Sequence, residues 1–215
     1  SSSAASDVYK RQTLELIGAD EKSHCVVGCY MMNVKGRTIF LADATVNVYP
    51  DSRTLAEIAV QTAKVARRFG VAPRVAMLSF SNFGSSRAQR SERIEDAIDF
   101  ARELDPSLVI DGPMQADTAL NGDVQTEYPF MDFDGPANVL VLPNLAAANI
   151  AYKLLEELGD AEMTGPILEG MDKPVQLVAR QDGVRHIVNM AAICAADAIR
   201  QDSYWETLVT PTIDD

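Results

Sequence analysis

This sequence predicts an α/β fold with a largely parallel sheet, and three observations predict it. From residue 54 onward, apolar runs of strand length alternate with amphipathic stretches of helix length. The runs at 74–80 and 138–142 are continuously apolar over 75–78 and 139–142, as in parallel strands covered on both faces. Loops rich in Ser, Asn, Gly and Asp follow the strands, where open α/β sheets place their ligands.

The elements read in order as follows. Two apolar runs, 25–34 and 38–48, flank Lys35-Gly36-Arg37 and predict a hairpin with Gly36 in the turn. Thr54-x-x-Glu57 has the form of a capping box and opens a helix that Gly70 ends. Leu55, Ile58, Ala59, Ala63 and Val65 give that helix its buried stripe. A strand at 74–80 leads into the loop Ser81-Asn82-Phe83-Gly84-Ser85-Ser86. A helix at 92–104 buries Ile94, Ala97, Ile98 and Ala101, and a short strand at 108–110 ends at Asp111-Gly112. Another strand spans 138–142, and a helix at 146–158 closes on Gly159. The stretch from Gly165-Pro166 to Lys173-Pro174 reads as a loop held by its glycines and prolines. The last helix is expected over 183–200 with Asp182 as N-cap.

Bulk properties narrow the function. The 215 residues are 47% hydrophobic and 23% charged, which is globular. A net charge of −12 disfavours nucleic acid and anionic membrane as partners, although a local basic pocket still admits an anionic ligand. No apolar run is long enough to span a membrane. Cys25, Cys29 and Cys194 form no disulfide framework, Cys25 and Cys29 read as small buried hydrophobes, and a reduced cytoplasmic setting fits. With His24 and His186 as the only histidines, no transition-metal site is expected. Residues 1–12 lack the layout of a signal peptide and read as a foreign, loosely ordered leader, which leaves 13–215 as the domain.

Three loops qualify as a ligand site. Ser79, Ser81, Asn82, Gly84 and Ser85 offer hydroxyls and exposed backbone N–H groups, which suit phosphate or pantetheine oxygens. Asp111-Gly112-Pro113-Met114-Gln115-Ala116-Asp117 carries two carboxylates that orient loop backbone or cap the next helix. Lys173 and Arg180 are candidate anion contacts, Arg180 the stronger for its guanidinium geometry.

Together these segments resemble the phosphate acetyltransferase family. The Ser79 loop is similar to the family's Ser-x-Ser-Thr-x-Gly-Ser, with Asn82 in place of Thr. The Asp111 motif is similar to its Asp-Gly-Glu-x-Gln-x-Asp-Ala, with Pro113 in place of Glu. Residues 179–189 resemble its Ser-Arg-Gly-x-x-x-x-Asp followed by Ile-Val-Asn. In that pattern Arg180 matches the coenzyme A contact. Ala179 stands where a Ser supports the transition state, and His186 where an Asp acts as base. Leu142-Pro143-Asn144-Leu145 likewise has Asn144 where Asp is usual. The likeness runs from about residue 26 to 199. It implies an αβα layered fold of the isocitrate/isopropylmalate dehydrogenase type, whose N-terminal part is expected to be missing here.

Two readings follow from the resemblance. In the first, the chain is the C-terminal regulatory domain of a hybrid malic enzyme. It binds acetyl-CoA through Ser79, Ser81, Asn82, Gly84, Ser85, Lys173 and Arg180, with no catalytic residue and no metal of its own. NADP and a divalent metal would belong to the N-terminal catalytic domain that is its partner. The alternative is an active phosphate acetyltransferase, making acetyl phosphate and coenzyme A from acetyl-CoA and phosphate. A purely structural dimerisation domain is the third option. His186 could take a proton, but it lies in the first turn of a helix beside Arg185, where the partial charge works against a cationic imidazole. The stripe Ile187, Ala191, Cys194, Ala195 and Ala198 suits either the core or a two-fold partner in a homo-oligomer.

Overall fold

A computed structural model describes residues 12–13, 15–21, 23–85, 90–180 and 182–209, with 90–91 and 202–209 as backbone only. Residues 1–11, most of the expected leader, lie outside the described residues, as do Ser86 and Gln181. The hairpin is formed by β1 (Val27–Val34) and β2 (Arg37–Ala42). They pair antiparallel with Val34 opposite Arg37, and Lys35 and Gly36 turn the chain with φ of 49° and 74°. Two positive φ values make the tight turn whose twist matches the strands. β2 ends at Ala42, six residues short of the expected Val48. Asp43 is the reason. Its buried carboxylate accepts the amides of Gly28 (3.2 Å), Thr45 (2.9 Å), Val46 (3.2 Å) and Asn47 (2.8 Å). Amides drawn to a carboxylate are lost to the ladder.

Helix α1 (Ser52–Arg68) starts at Asp51, which accepts the Thr54 amide at 2.8 Å. The cap therefore lies three residues before the Thr54 that the sequence pattern favoured. α1 is buried more widely than its predicted stripe, for Glu57, Gln61 and Thr62 are inside as well. Strand β3 (Val75–Leu78), helix α2 (Arg90–Leu104) and strand β4 (Ile110–Met114) follow. Two short helices, α3 (Ala116–Leu120) and α4 (Gly122–Gln125), lead to β5 (Val139–Val141) and α5 (Leu145–Leu158). Residues 162–169, read from sequence as part of a loop, form a sixth strand, β6 (Glu162–Glu169). Helix α6 (Val184–Val209) completes the fold and runs nine residues beyond the expected end.

The sheet order is β4-β3-β5-β2-β1-β6. β2, β5, β3 and β4 are mutually parallel, β1 opposes them, and β6 opposes β1. The largely parallel sheet is thus confirmed, as is its layering. One face packs Phe40, Val75, Met77 and Val141 against α1, α2 and Met190 of α6. The other packs Leu41, Ala76, Leu140 and Leu142 against Ala119 and the α5 residues Ala148 and Tyr152. The buried side of α6 is Met190 with Ile193, so the stripe that begins at Ile187, itself 43% exposed, is not what packs the core. Cys29 is buried, Cys25 and Cys194 are half-buried, and burial pushes the Cys25 thiol up to about 12.

β4 and β6 are the two edges of the sheet, and each contains a Gly-Pro pair. Proline lacks the ladder donor, so edge strands are where a sheet tolerates it. Gly112 and Gly165 have φ of 142° and 144° and press on the neighbouring strand. A Cβ would lie 2.6 Å from Met77 O at Gly112 and 2.9 Å from Cys29 O at Gly165. The pairing register slips opposite each, between Ala76 and Leu78 and between Cys29 and Met31.

Candidate functional site

All five co-directed strands end on the same side of the sheet, and the Ser79 loop, the Asp111 loop and Lys173 are distributed along that side. Ser79, Ser81, Asn82, Gly84 and Ser85 share the loop after β3. Asn82 ties this loop to the one after β4. Its carbonyl accepts the Gln115 amide at 2.7 Å, and its amide donates to Tyr128 Oη at 3.0 Å. Gln115 donates in turn to Phe80 O at 2.8 Å, and the Phe83 amide reaches Pro113 O at 2.6 Å. Phe83, Tyr128 and Phe130 pack edge to face or tilted, with centroids 4.9–6.1 Å apart. Ser81 is only 7% exposed, and its hydroxyl has no hydrogen-bond partner among the described residues.

The two carboxylates of the second loop take backbone roles. Asp111 is buried and accepts the amides of Gly112 (2.7 Å) and Asp132 (2.8 Å). Burial pushes its carboxyl above the usual range against the pull of those bonds. Asp117 accepts the Thr118 amide at 2.9 Å inside the first turn of α3, whose cap is Gln115.

Lys173 lies elsewhere. It lines a cleft of about 700 Å³ beyond the end of β6, walled also by Gln61, Lys64, Arg68, Glu169 and Asp197. Arg68 bridges Glu169 (2.7 Å) and Asp197 (3.2 Å), joining α1, β6 and α6. Burial raises the Glu169 carboxyl, and the Arg68 guanidinium opposes the shift. Sequence reading missed this cluster because its members come from three elements far apart in the chain. β3 and β6 stand four strand spacings apart, about 19 Å, so the Ser79 loop and Lys173 line no common pocket.

Arg180 is exposed in the turn before α6 and is not a wall of the cleft. In that turn Asp182 accepts the Ala179 amide at 2.6 Å and lies 3.5 Å from His186 Nε2. Asp182 precedes the helix by two residues and holds the loop rather than capping α6. Arg185, in the first turn of α6, is 3.5 Å from Glu162 at the start of β6. The Arg180 turn therefore belongs to the start of β6 and the cleft to its end. Asn144 caps α5 by accepting the Ala147 amide at 2.9 Å. Among the described residues, no group of three or more His, Cys, Asp or Glu is placed to hold a metal ion. No described helix is long and apolar enough to cross a membrane.

Comparison with known proteins now decides the family. The model of the phosphate acetyl/butaryl transferase family matches residues 3–195. The chain belongs to that family. The match begins at residue 3 and so takes in most of the stretch read above as a leader. Two kinds of relative are similar to this family member. The NADP-dependent malic enzyme of Rhizobium meliloti is 42% identical over 175 residues, 81% of this chain and 23% of that protein. The phosphate acetyltransferase of Bacillus subtilis is 39% identical over 190 residues, 88% of this chain and 59% of that protein. A solved phosphotransacetylase from Streptococcus pyogenes superposes with a TM-score of 0.85 at 35% identity, over 91% of this chain and 60% of that one. The chain thus spans about a quarter of that malic enzyme and about three-fifths of those two acetyltransferases.

Proposed function

We propose that this chain is the regulatory, acetyltransferase-like domain of a malic enzyme and binds acetyl-CoA as an effector without transferring the acetyl group. The observation that carries the reading is the turn at 179–186. Acetyl transfer of the family type uses a hydroxyl and a carboxylate that here are Ala179 and His186. The nearby carboxylate of Asp182 is engaged by the Ala179 amide and faces His186. A carboxylate held as a backbone acceptor is poorly placed to be a general base. Asn144, a further acid-to-amide difference from the family pattern, serves as a helix cap.

Acetyl-CoA suits the spacing of the Ser79 loop and Lys173. A compact anion cannot touch both the Ser79 loop and Lys173, which follow strands four spacings, about 19 Å, apart. Coenzyme A is a nucleotide joined to a long pantetheine arm, and an elongated ligand reaches both. The identity to malic enzymes, of which the chain covers a minor share, supports a separate catalytic domain as partner. NADP, the divalent metal and malate oxidation to pyruvate and CO2 belong to that domain. A homo-oligomer belongs to the same reading.

Calorimetry with acetyl-CoA, paired with an assay for acetyl phosphate formation, tests the proposal. Binding without turnover is expected. Lys173→Ala should weaken binding roughly tenfold to a hundredfold, the loss expected for one charged hydrogen bond, and Arg180→Ala tests whether the ligand also reaches the turn at the start of β6. Acetyl phosphate made at an enzyme-like rate would replace the regulatory reading with that of an active phosphate acetyltransferase, which the similarity to the Bacillus subtilis enzyme favours.

A further inference from the structure

We propose that Phe130 is a stacking platform for the purine ring of a nucleotide-bearing ligand, with Phe80 as a second exposed ring beside the Ser79 loop. The identity of that ligand as acetyl-CoA rests on the reading above. Phe83 is the hinge of the arrangement. Its ring centroid is 5.2 Å from that of Tyr128 and 4.9 Å from that of Phe130, the latter at an interplanar angle of 77°. Tyr128 meets Phe130 at 90° and 6.1 Å. Edge-to-face contacts fix the orientation of Phe130 without covering it, for the residue stays 63% exposed. Asn82 donates to Tyr128 Oη, which locks the aromatic cluster to the loop that carries Ser79, Ser81 and Ser85. Phe80, on the same loop, is 58% exposed.

A large aromatic ring already held in one orientation loses little freedom when another ring stacks on it. Such a surface selects a flat π-system. One or two rings are far smaller than the roughly 800 Å² that each partner contributes to a stable protein interface, so a small ligand fits better than a protein. A net charge of −12 argues against a nucleic acid strand and leaves a free nucleotide-type ligand. Ser81 adds an independent sign of a ligand. Its hydroxyl, in the same loop and more than nine-tenths buried, lacks a partner among the described residues, and buried polar groups ordinarily have one.

The test titrates the full chain, Phe130→Ala and Phe130→Trp with three probes: acetyl-CoA, adenosine 3′,5′-bisphosphate and S-acetylpantetheine. Phe130→Ala should weaken acetyl-CoA and the bisphosphate by a similar factor, roughly five- to a hundredfold, as alanine substitution does for a stacked base. S-acetylpantetheine, which has no purine, should bind the variant as it binds the parent. Phe130→Trp should retain the affinity for all three. If acetyl-CoA binds Phe130→Ala as tightly as the parent, or if the variant loses S-acetylpantetheine by the same factor, the platform is overturned while the acetyl-CoA reading stands. If the parent ignores acetyl-CoA but binds the bisphosphate through Phe130, the acetyl-CoA reading falls and the platform stands. Binding of neither nucleotide overturns both.

Discussion

The two edges of the sheet are built alike and end differently. β4 carries a buried acid, Asp111, and β6 a half-buried one, Glu169, and burial pushes both carboxyls upward. Each contains a Gly-Pro pair pressed into the neighbouring strand. Past β4 the chain closes into a neutral knot of amide bonds and aromatic rings around Asn82, Gln115 and Phe83. Past β6 it opens into an ionic cleft, with Arg68 strung between Glu169 and Asp197. The same backbone device thus supports a surface suited to a flat neutral ring at one edge and one suited to charged groups at the other. What separates them is the neighbour each acid meets. Asp111 meets backbone amides, while Glu169 meets a guanidinium.

Four substitutions would break or sharpen that comparison. The largest effect is expected from Gly112→Ala and Gly165→Ala, because in both the new methyl would collide with a backbone oxygen at a φ that alanine avoids. Gly112→Ala, with the closer contact, should cost about 3 kcal/mol or more, and Gly165→Ala about 2 kcal/mol, measured by urea unfolding. Equal, small losses would show that the edges do not depend on the close approach. Asn82→Ala should cost about 1 kcal/mol by freeing the Gln115 amide and Tyr128 Oη, and should leave the β6 cleft untouched. Amide exchange at Gln115 would report the opening directly, and unchanged protection there would remove the clasp from the account.

The smallest effect is a pH slope at Glu169. Its folded carboxyl lies above the unfolded value of 4.5, so the folded state holds the proton longer. The stability this contributes is full below about 4.5 and is lost as pH rises through the folded value. Glu169→Gln has no such proton, so its stability should gain on that of the parent as pH rises from 4.5 toward neutrality. A constant difference across that range would show that Arg68 fully offsets the burial.

Much of the fold was legible because it rests on local pattern. The Lys35-Gly36 turn, the stripe of Ile94, Ala97, Ile98 and Ala101, and the continuous strand around Val139 all declare themselves in short windows. β6 did not, because Gly165-Pro166 signals a turn anywhere except on a sheet edge, and edge position is a property of the assembled sheet. The α1 cap was misplaced because Thr54 and Glu57 make a fuller motif than the Asp51 that caps the helix. Asp43 was invisible as an organiser, since one of its donors, Gly28, comes close only through the hairpin. Of the candidate site, the Ser79 loop was readable from its composition. The Arg68 cluster and the Phe83, Tyr128 and Phe130 cluster were not, because each is assembled from separated segments.

The bond between Arg68 and Asp197 has a mechanical consequence. Helix α6 has 26 residues, which at 1.5 Å each makes a rod about 39 Å long. Asp197 is close to its midpoint, and Met190 is its one fully buried anchor to the sheet among the described side chains. A stiff rod fixed near its centre behaves as a balance beam. Any tilt that carries the Val184 end one way carries the Val209 end a similar distance the other way, with Arg68 as the fulcrum.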